Sequence, residues 1–126
     1  MSKKLKGILI DVGNECVMPK EIEDSLDNFY EILNCDIIDI TARSINGKRY
    51  EIVLDDEGLF AEHPKISAMN SYNEPVLVGN LFICKDGYGG ELESLTTDDI
   101  NHILECVEPV ATLRCPKPYL MLTKCD

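Results

Sequence analysis

The sequence predicts an α+β domain in which an antiparallel sheet of five or six strands carries two helices packed on one face. Three observations support this prediction. Asn46-Gly47 stands between two apolar alternations, which is the strongest short-range signal for a β-hairpin. Two other segments place their apolar residues at helical spacing, each behind a capping side chain. Short runs rich in β-branched residues separate these elements.

The N-terminal half is predicted to contain two strands, a helix and a long hairpin. Residues 5–12 (LKGILIDV) are expected to form the first strand, and residues 17–23 a second strand that Pro19 weakens. A helix then begins after Ser25, a natural N-cap. Its apolar side consists of Leu26, Phe29, Tyr30 and Leu33. We expect the hairpin to span residues 36–55, with Asn-Gly at its turn.

The C-terminal half is predicted to contain one more strand and the second helix. Residues 76–85 are expected to form a continuous strand. The segment TTDDINHILECV is expected to be helical, with Thr97 or Thr96 as its cap. Asp98 and Asp99 then stand in the first turn, where the helix dipole favours negative charge.

The length and composition favour one domain over residues 1–126. Hydrophobic residues make up 44% of the chain, enough for one core. The tail over residues 107–126 contains three prolines, and its apolar piece, YLMLT, is either a last strand or a clasp on a partner subunit. No apolar run approaches the ~20 residues that cross a bilayer, and the N-terminal apolar run reaches Asp11 too soon for a signal peptide. We therefore expect a cytosolic protein without a membrane partner.

The charge of the chain argues against direct binding to nucleic acid. The formal net charge is −11, whereas phosphate binding needs clustered lysine and arginine. Residues 21–39 hold seven carboxylates and no lysine or arginine, and residues 86–108 repeat this pattern. Two solvated helix surfaces would explain the segregation. An acidic surface that docks on a basic protein would also explain it, and both interpretations stay open here.

The cysteines and acidic residues do not form a recognisable metal site. The six cysteines include no C-x-x-C pair, and without a visible export signal we expect reduced, small apolar side chains. His102 and Cys106 stand one helical turn apart, but their spacing to the later cysteines matches no usual zinc pattern. The acidic run 55–57 lacks the spacing of a calcium loop and is expected to be a charged turn. No metal or other cofactor is predicted.

No catalytic signature is present. The chain has two histidines, His63 and His102, and neither stands in a motif with a nucleophile. There is no G-x-S-x-G, P-loop or H-E-x-x-H sequence. We therefore expect a protein that is not an enzyme.

The strand and loop GNLFICKDGYGGEL suggest a ligand surface. Alternation places Asn80 and Phe82 on one face of the strand, while the opposite face is aliphatic. An aromatic ring beside an amide suits a nucleobase, and Asp86, Tyr88 and three glycines follow directly. The alternative is a plain turn, with Asn80 bonded to backbone and Phe82 in a minor core.

Three arginines could supply the cations that an anionic nucleotide needs. Arg43 and Arg49 stand on either side of the hairpin turn, where each could hold a phosphate by two hydrogen bonds. Arg114 interrupts an acidic stretch and could complete the pocket of a neighbouring subunit. Ordinary surface cations are the alternative interpretation.

The order of elements resembles a family of small proteins from phages, prophages and clostridia, known only as a domain of unknown function. The matching pieces are KGILIDV, IEDSLDNFYEILNCD, DDEG, Asn70, PVLVGNLFI and LESLTTDDINHIL. The resemblance covers residues 6–104. The chain has Asp-Asp-Glu-Gly where many members have Asn-Glu-Glu-Gly, and the tail after residue 106 is not covered.

The resemblance implies an anti-defence role. Small phage proteins of this kind include oligomeric sponges of the Thoeris anti-defence type, which sequester cyclic ADP-ribose or cyclic oligonucleotide signals. On this hypothesis the chain is a homo-oligomer that binds a nucleotide signal without turnover. The ligand-binding residues would be Asn80, Phe82, Asp86, Tyr88, Arg43, Arg49 and Arg114. The alternative is an acidic DNA mimic that inhibits a restriction or CRISPR nuclease, which the charge segregation favours.

Overall fold

The computed structural model describes residues 4–56, 65–87, 91–111 and 116–126. Its strands are β1 (Lys4–Asp11), β2 (Cys16–Glu23), β3 (Ile38–Ile45), β4 (Lys48–Asp55), β5 (Ile66–Met69), β6 (Pro75–Val78), β7 (Leu81–Asp86), β8 (Leu92–Glu93), β9 (Val107–Val110) and β10 (Tyr119–Leu122). Its helices are α1 (Leu26–Leu33) and α2 (Thr97–Leu104).

The strands form a main sheet of six and a second sheet of four. The main sheet has the order β2-β1-β7-β4-β3, with β8 paired to the end of β7, and all its pairs are antiparallel. The second sheet has the order β6-β5-β10-β9, in which β10 lies parallel to β5. The predicted α+β class, with two helices and a mostly antiparallel sheet of five or six strands, is confirmed.

Local signals determine the hairpin and the starts of both helices. Asn46 and Gly47 both have positive φ, as a tight two-residue turn requires, and β3 pairs with β4 in continuous register on either side. The Ser25 side chain accepts a hydrogen bond from Asn28 N at the start of α1. Asn34 ends that helix in the left-handed conformation. Thr96 caps α2, so of the two predicted caps the structure uses the earlier one.

The predicted continuous strand over residues 76–85 is two strands in different sheets. Gly79 has a φ of 79°, which breaks the extended backbone, and its N–H donates to Lys65 O at 2.9 Å. β6 therefore pairs with β5 in the second sheet, whereas β7 lies between β1 and β4 at the centre of the main sheet.

The helices lie in different core clusters, which corrects the prediction that both pack on one face. α1 contributes Phe29 and Leu33 to a cluster with Leu9 and Phe82. α2 contributes Ile100 and Ile103 to a larger cluster that includes the second sheet. The physical reason is that both faces of β1 and β7 are apolar, so each face must be covered.

The C-terminal tail is a strand of the same chain. β10 pairs with β9 and β5, and it buries Tyr119, Met121 and Leu122. Beyond β10, the backbone of Cys125 forms an isolated antiparallel β-bridge with Ile45, and Asn46 N donates to Lys124 O at 3.0 Å. Of the two predicted alternatives for this segment, a last strand or a subunit clasp, the structure has the strand.

We predict that Gly7→Ala destabilises the fold. Gly7 lies in β1, and an added methyl group would meet the carbonyl oxygen of Ile83 and lie 2.6 Å from Phe82 Cζ. Such overpacking costs about 1–3 kcal/mol. Urea unfolding should measure this loss. Gly13→Ala is the matched control, because its methyl group would lie 3.5 Å from Asp11 Oδ1, an ordinary contact. An equal effect of both substitutions would contradict the packing argument.

Candidate functional site

The most tightly connected polar group in the described structure is built on the buried carboxylate of Asp99. This residue is the third of α2, and its side chain is fully buried. Asp99 N donates to Thr96 Oγ1 at 3.1 Å, and Thr96 N donates back to Asp99 Oδ2 at 3.0 Å. This reciprocal capping box satisfies backbone donors that a helix start leaves unpaired.

Two lysines and a tyrosine from the main sheet complete the Asp99 cluster. Lys48, at the start of β4, forms an ion pair with Oδ1, and Lys85, on β7, lies 3.3 Å from Oδ2. Tyr50 donates its hydroxyl hydrogen to Oδ1 at 3.3 Å. Lys48 Nζ also lies 5.7 Å from the centre of the Tyr50 ring. The cluster therefore ties α2 to both β4 and β7.

The electrostatics of the cluster hold Asp99 ionised and Tyr50 protonated. Burial alone would raise the pKa of Asp99, but the hydrogen bonds from Lys48, Thr96 and Lys85 lower that pKa below its ordinary value. Burial, and then the charge of Asp99, raise the pKa of the Tyr50 hydroxyl. A general acid or base needs a pKa near the working pH. The cluster is thus suited to holding elements together and poorly suited to proton transfer.

The structure buries Phe82 and half-buries Asn80. Phe82 is fully buried, with its ring centre 5.9 Å from that of Phe29 on α1, so neither ring face is open to a nucleobase. Asn80 Oδ1 accepts from Val12 N at 3.0 Å, and Asn80 Nδ2 donates to Leu33 O at 3.2 Å. Of the two interpretations of this face, the structure has the minor core and not the ligand surface: α1 covers Phe82, and the Asn80 amide bonds to the backbone of Val12 and Leu33.

The two hairpin arginines point away from each other. Arg43 pairs with Tyr50 across the hairpin and Arg49 pairs with Ser44, so alternation puts the arginines on opposite faces. Arg49 is exposed and lies 3.6 Å from Glu51. On the other face, the hydrogen bonds from Ser71 and, to a smaller extent, the charge of Arg43 lower the pKa of Asp126. A single phosphate cannot bridge both arginines within one chain.

Asp86 is the remaining predicted ligand residue within the described ranges. It is exposed at the end of β7, where it pairs with Leu92 of β8. Tyr88 and Arg114 lie outside the described residues. The described part of the predicted nucleotide site is therefore not assembled as one pocket.

The residues considered for metal binding have other surroundings. His102 Nε2 lies 2.8 Å from Ile45 O, within hydrogen-bonding distance. Cys106 and Cys125 are buried, and burial raises the pKa of both thiols, that of Cys125 to about 11. Across the described ranges, no three histidine, cysteine or carboxylate side chains are grouped so that they could hold a metal ion.

A shallow groove of about 520 Å³ runs between β2 and α1. Its lining combines apolar, acidic and basic side chains: Lys4, Lys20, Glu21, Ile22, Glu23, Asn28, Glu31 and Ile32. Lys4 and Glu21 lie 4.0 Å apart, and both are mostly exposed. Such a pair contributes little to stability and leaves the carboxylate accessible.

Comparison with known proteins identifies a family. A model described as Domain of unknown function (DUF3846) matches residues 5–108, most of the chain. The chain belongs to the DUF3846 family. Neither a curated protein nor a solved structure matches it. The predicted membership of a family known only as a domain of unknown function is thereby confirmed, while the likeness to Thoeris sponges stays a prediction.

The matched DUF3846 region contains the whole Asp99 cluster and the covered face of β7, whereas β10 lies beyond its end.

Within the described residues of this DUF3846 member, no helix is long and apolar enough to span a bilayer.

The Asp99 cluster was not predicted, although one of its signals is local. Thr96 and Asp99 have the spacing of a capping box, which predicts a helix start but not burial. The sequence placed Asp99 with Asp98 in the first turn of the helix and gave no sign that only one of them is buried. Asp99 is buried because Lys48 and Lys85 converge on it from 51 and 14 residues away in the chain.

We predict that Asp99→Asn destabilises the protein by about 1–3 kcal/mol, because the amide replaces the charged acceptor that two lysines share. Chemical unfolding at neutral pH should measure the loss. Asp98→Asn is the control, since Asp98 is exposed in the same helical turn and should change stability by about 0.5 kcal/mol or less. Equal losses in the two variants would show that the helix dipole, rather than the buried cluster, is responsible.

The contribution of Asp99 to stability should also depend on pH. The pKa of Asp99 is lower in the folded chain than the ordinary value of about 4, so its stabilising effect is complete above that value. It is lost as the pH falls toward the folded-state pKa, because the unfolded chain then takes up the proton first. The difference in unfolding free energy between wild type and Asp99→Asn should therefore shrink between pH 5 and about pH 3. A constant difference over this range would contradict an ionised Asp99.

Proposed function

We propose that this DUF3846 protein is a non-catalytic inhibitor whose acidic surface occupies the nucleic-acid-binding face of a basic protein, such as a restriction or CRISPR nuclease. One observation carries the proposal. Of the fourteen carboxylates in the two segments without lysine or arginine, residues 21–39 and 86–108, twelve are exposed. Asp24 is half-buried, and Asp99 is buried in its cluster.

Three of the chain's lysines are engaged away from the exposed carboxylates of the two segments. Lys48 and Lys85 direct their ammonium groups to the buried Asp99. Lys65 donates to Val12 O at 3.1 Å and to Glu15 at 2.9 Å, where it lowers the pKa of that carboxyl. These three cations therefore serve contacts within the fold.

Parts of both acidic segments run beside the N-terminal end of β1. Glu21 and Glu23 lie on the neighbouring strand β2, where they stand opposite Lys6 and Lys4 of β1. On the other side, Ser94 Oγ accepts from Lys6 N at 2.9 Å, so the chain after β8 also runs beside β1. Carboxylates from segments far apart in sequence can thus face one partner, as the phosphates of a duplex do.

The nucleotide-sequestration hypothesis has less support from this geometry. Phe82 is buried and Asn80 is bonded to backbone, so neither is offered to a ligand. Calorimetry with cyclic ADP-ribose isomers and cyclic dinucleotides and trinucleotides separates the two ideas. We expect no heat of binding; clear heat with any of these nucleotides would favour sequestration over surface mimicry.

We predict that the protein inhibits at least one member of a panel of purified restriction and CRISPR nucleases by competing with duplex DNA. Fluorescence anisotropy with labelled DNA should show displacement from the nuclease, and this displacement should weaken as salt rises. Inhibition that is independent of both DNA concentration and salt would contradict DNA mimicry.

Neutralising variants of the acidic surface sharpen this prediction. Two sets are used: Glu21→Gln, Glu23→Gln, Asp27→Asn and Glu31→Gln; or Glu93→Gln, Asp98→Asn, Glu105→Gln and Glu108→Gln. At least one set should weaken displacement by about tenfold or more, since several screened charge pairs are lost together. Lys4→Gln with Lys20→Gln is the matched control, and removing these two cations should leave displacement unchanged or stronger. Full displacement by both acidic sets would overturn the proposal.

A further inference from the structure

One edge of the main sheet has the properties of an association surface. β3 is the last strand in the sheet order, with β4 on one side. On its other side, the contacts seen within the described ranges come from the C-terminal residues and begin at Ser44: Asp126 N donates to Ser44 O at 2.7 Å, and Cys125 bridges to Ile45. Among the described residues, the edge is thus closed from Ser44 onward and open from Ile38 to Ala42.

The backbone of this open edge is directed outward. Asp56 N donates to Ile37 O, which therefore points toward the β4 side, whereas Ser44 O points away to Asp126. Since backbone groups alternate along a strand, Ile38, Ile40 and Ala42 turn their N–H and C=O groups to the open side. Ile40 N donates a hydrogen bond to Asp39 Oδ1 at 2.9 Å. A pairing strand can replace this local bond.

The side chains of the open edge suit a strand partner rather than water. Ile40 is 46% exposed, and Ala42 is also exposed on the same face. The strand IDITARSI contains no proline or lysine, the residues that commonly blunt an edge. By contrast β2, at the opposite end of the sheet, contains Pro19 and Lys20.

We propose that two copies of this chain form a dimer in which the open edge of β3 pairs antiparallel with itself, centred on Ile40. This register places Ile40 opposite Ile40 of the second copy and Ile38 opposite Ala42, so outward-facing groups meet in hydrogen-bonded pairs. In this register the open edge from Ile38 to Ala42 is paired along its whole length. Ser44, where the edge is already closed, lies opposite residue 36, which precedes the strand. The inference is independent of the proposed function.

Charge substitutions at Ile40 test both the dimer and its register by sedimentation equilibrium. The wild type should be a dimer. Ile40→Lys and Ile40→Glu should each raise the dimer dissociation constant by at least about tenfold, because like charges then face each other across the dyad. A mixture of the two variants should form a heterodimer, because lysine then faces glutamate. A monomeric wild type, or a mixture that stays monomeric, would overturn the proposal.

Ala42→Pro tests the backbone pairing with little change in charge or polarity. Proline removes the outward N–H of residue 42, while the neighbouring residues keep their bonds to β4, so the fold should persist by circular dichroism and the dimer should be lost. Leu104→Lys is the control, since Leu104 is an exposed apolar residue on α2 and its substitution should leave the dimer intact. A dimer that survives both Ala42→Pro and Ile40→Lys would place the interface elsewhere and overturn the assignment.

Discussion

The buried carboxylate of Asp99 is the constraint on which the arrangement of helix and hairpin depends. A helix of eight residues such as α2 is marginal by itself, so its position comes from its contacts with the sheets. The apolar contacts of Ile100 and Ile103 stabilise the helix on the sheets but do not by themselves specify its position. Asp99, by contrast, must lie beside Lys48 and Lys85 to remain charged in the interior. The ion pairs therefore determine which end of β4 and β7 the helix covers.

The same cluster links the fold to the character of the surface. Lys48 and Lys85 stand about half-exposed and a third exposed, yet their charged ends serve an internal partner. The exposed carboxylates near them are left without those cations, and their field extends over about a Debye length of 8–10 Å at physiological salt. An acidic protein whose lysines pair with a buried carboxylate is better suited to a basic macromolecule than to an anionic nucleotide.

Sequence reasoning succeeded where the determining contacts are local. Asn46-Gly47 specifies both the hairpin and its register, and Ser25 and Thr96 specify the helix starts. That register also separates Arg43 from Arg49, so their divergence could have been predicted by counting across the turn. The sequence left the burial of Phe82 as one of two alternatives, because the choice depends on α1 packing over an apolar face from a distant part of the chain. The sequence predicted one continuous strand through Gly79, and only the pairing of β6 with β5 shows that this residue separates two sheets.

Self-association of so acidic a chain has to overcome repulsion, and the charge distribution indicates where this is easiest. The ten residues from Thr41 to Tyr50 carry Arg43, Lys48 and Arg49 and no carboxylate, in a chain of net charge −11. β3 itself holds one acid, Asp39, and one base, Arg43, so its edge is locally neutral. Pairing two such edges brings together two locally neutral strands, and it leaves the carboxylates of β2, at the opposite edge of the main sheet, away from the dyad. The proposed dimerisation through β3 therefore leaves Glu21 and Glu23, on the opposite edge of the same sheet, free for the proposed docking on a basic protein.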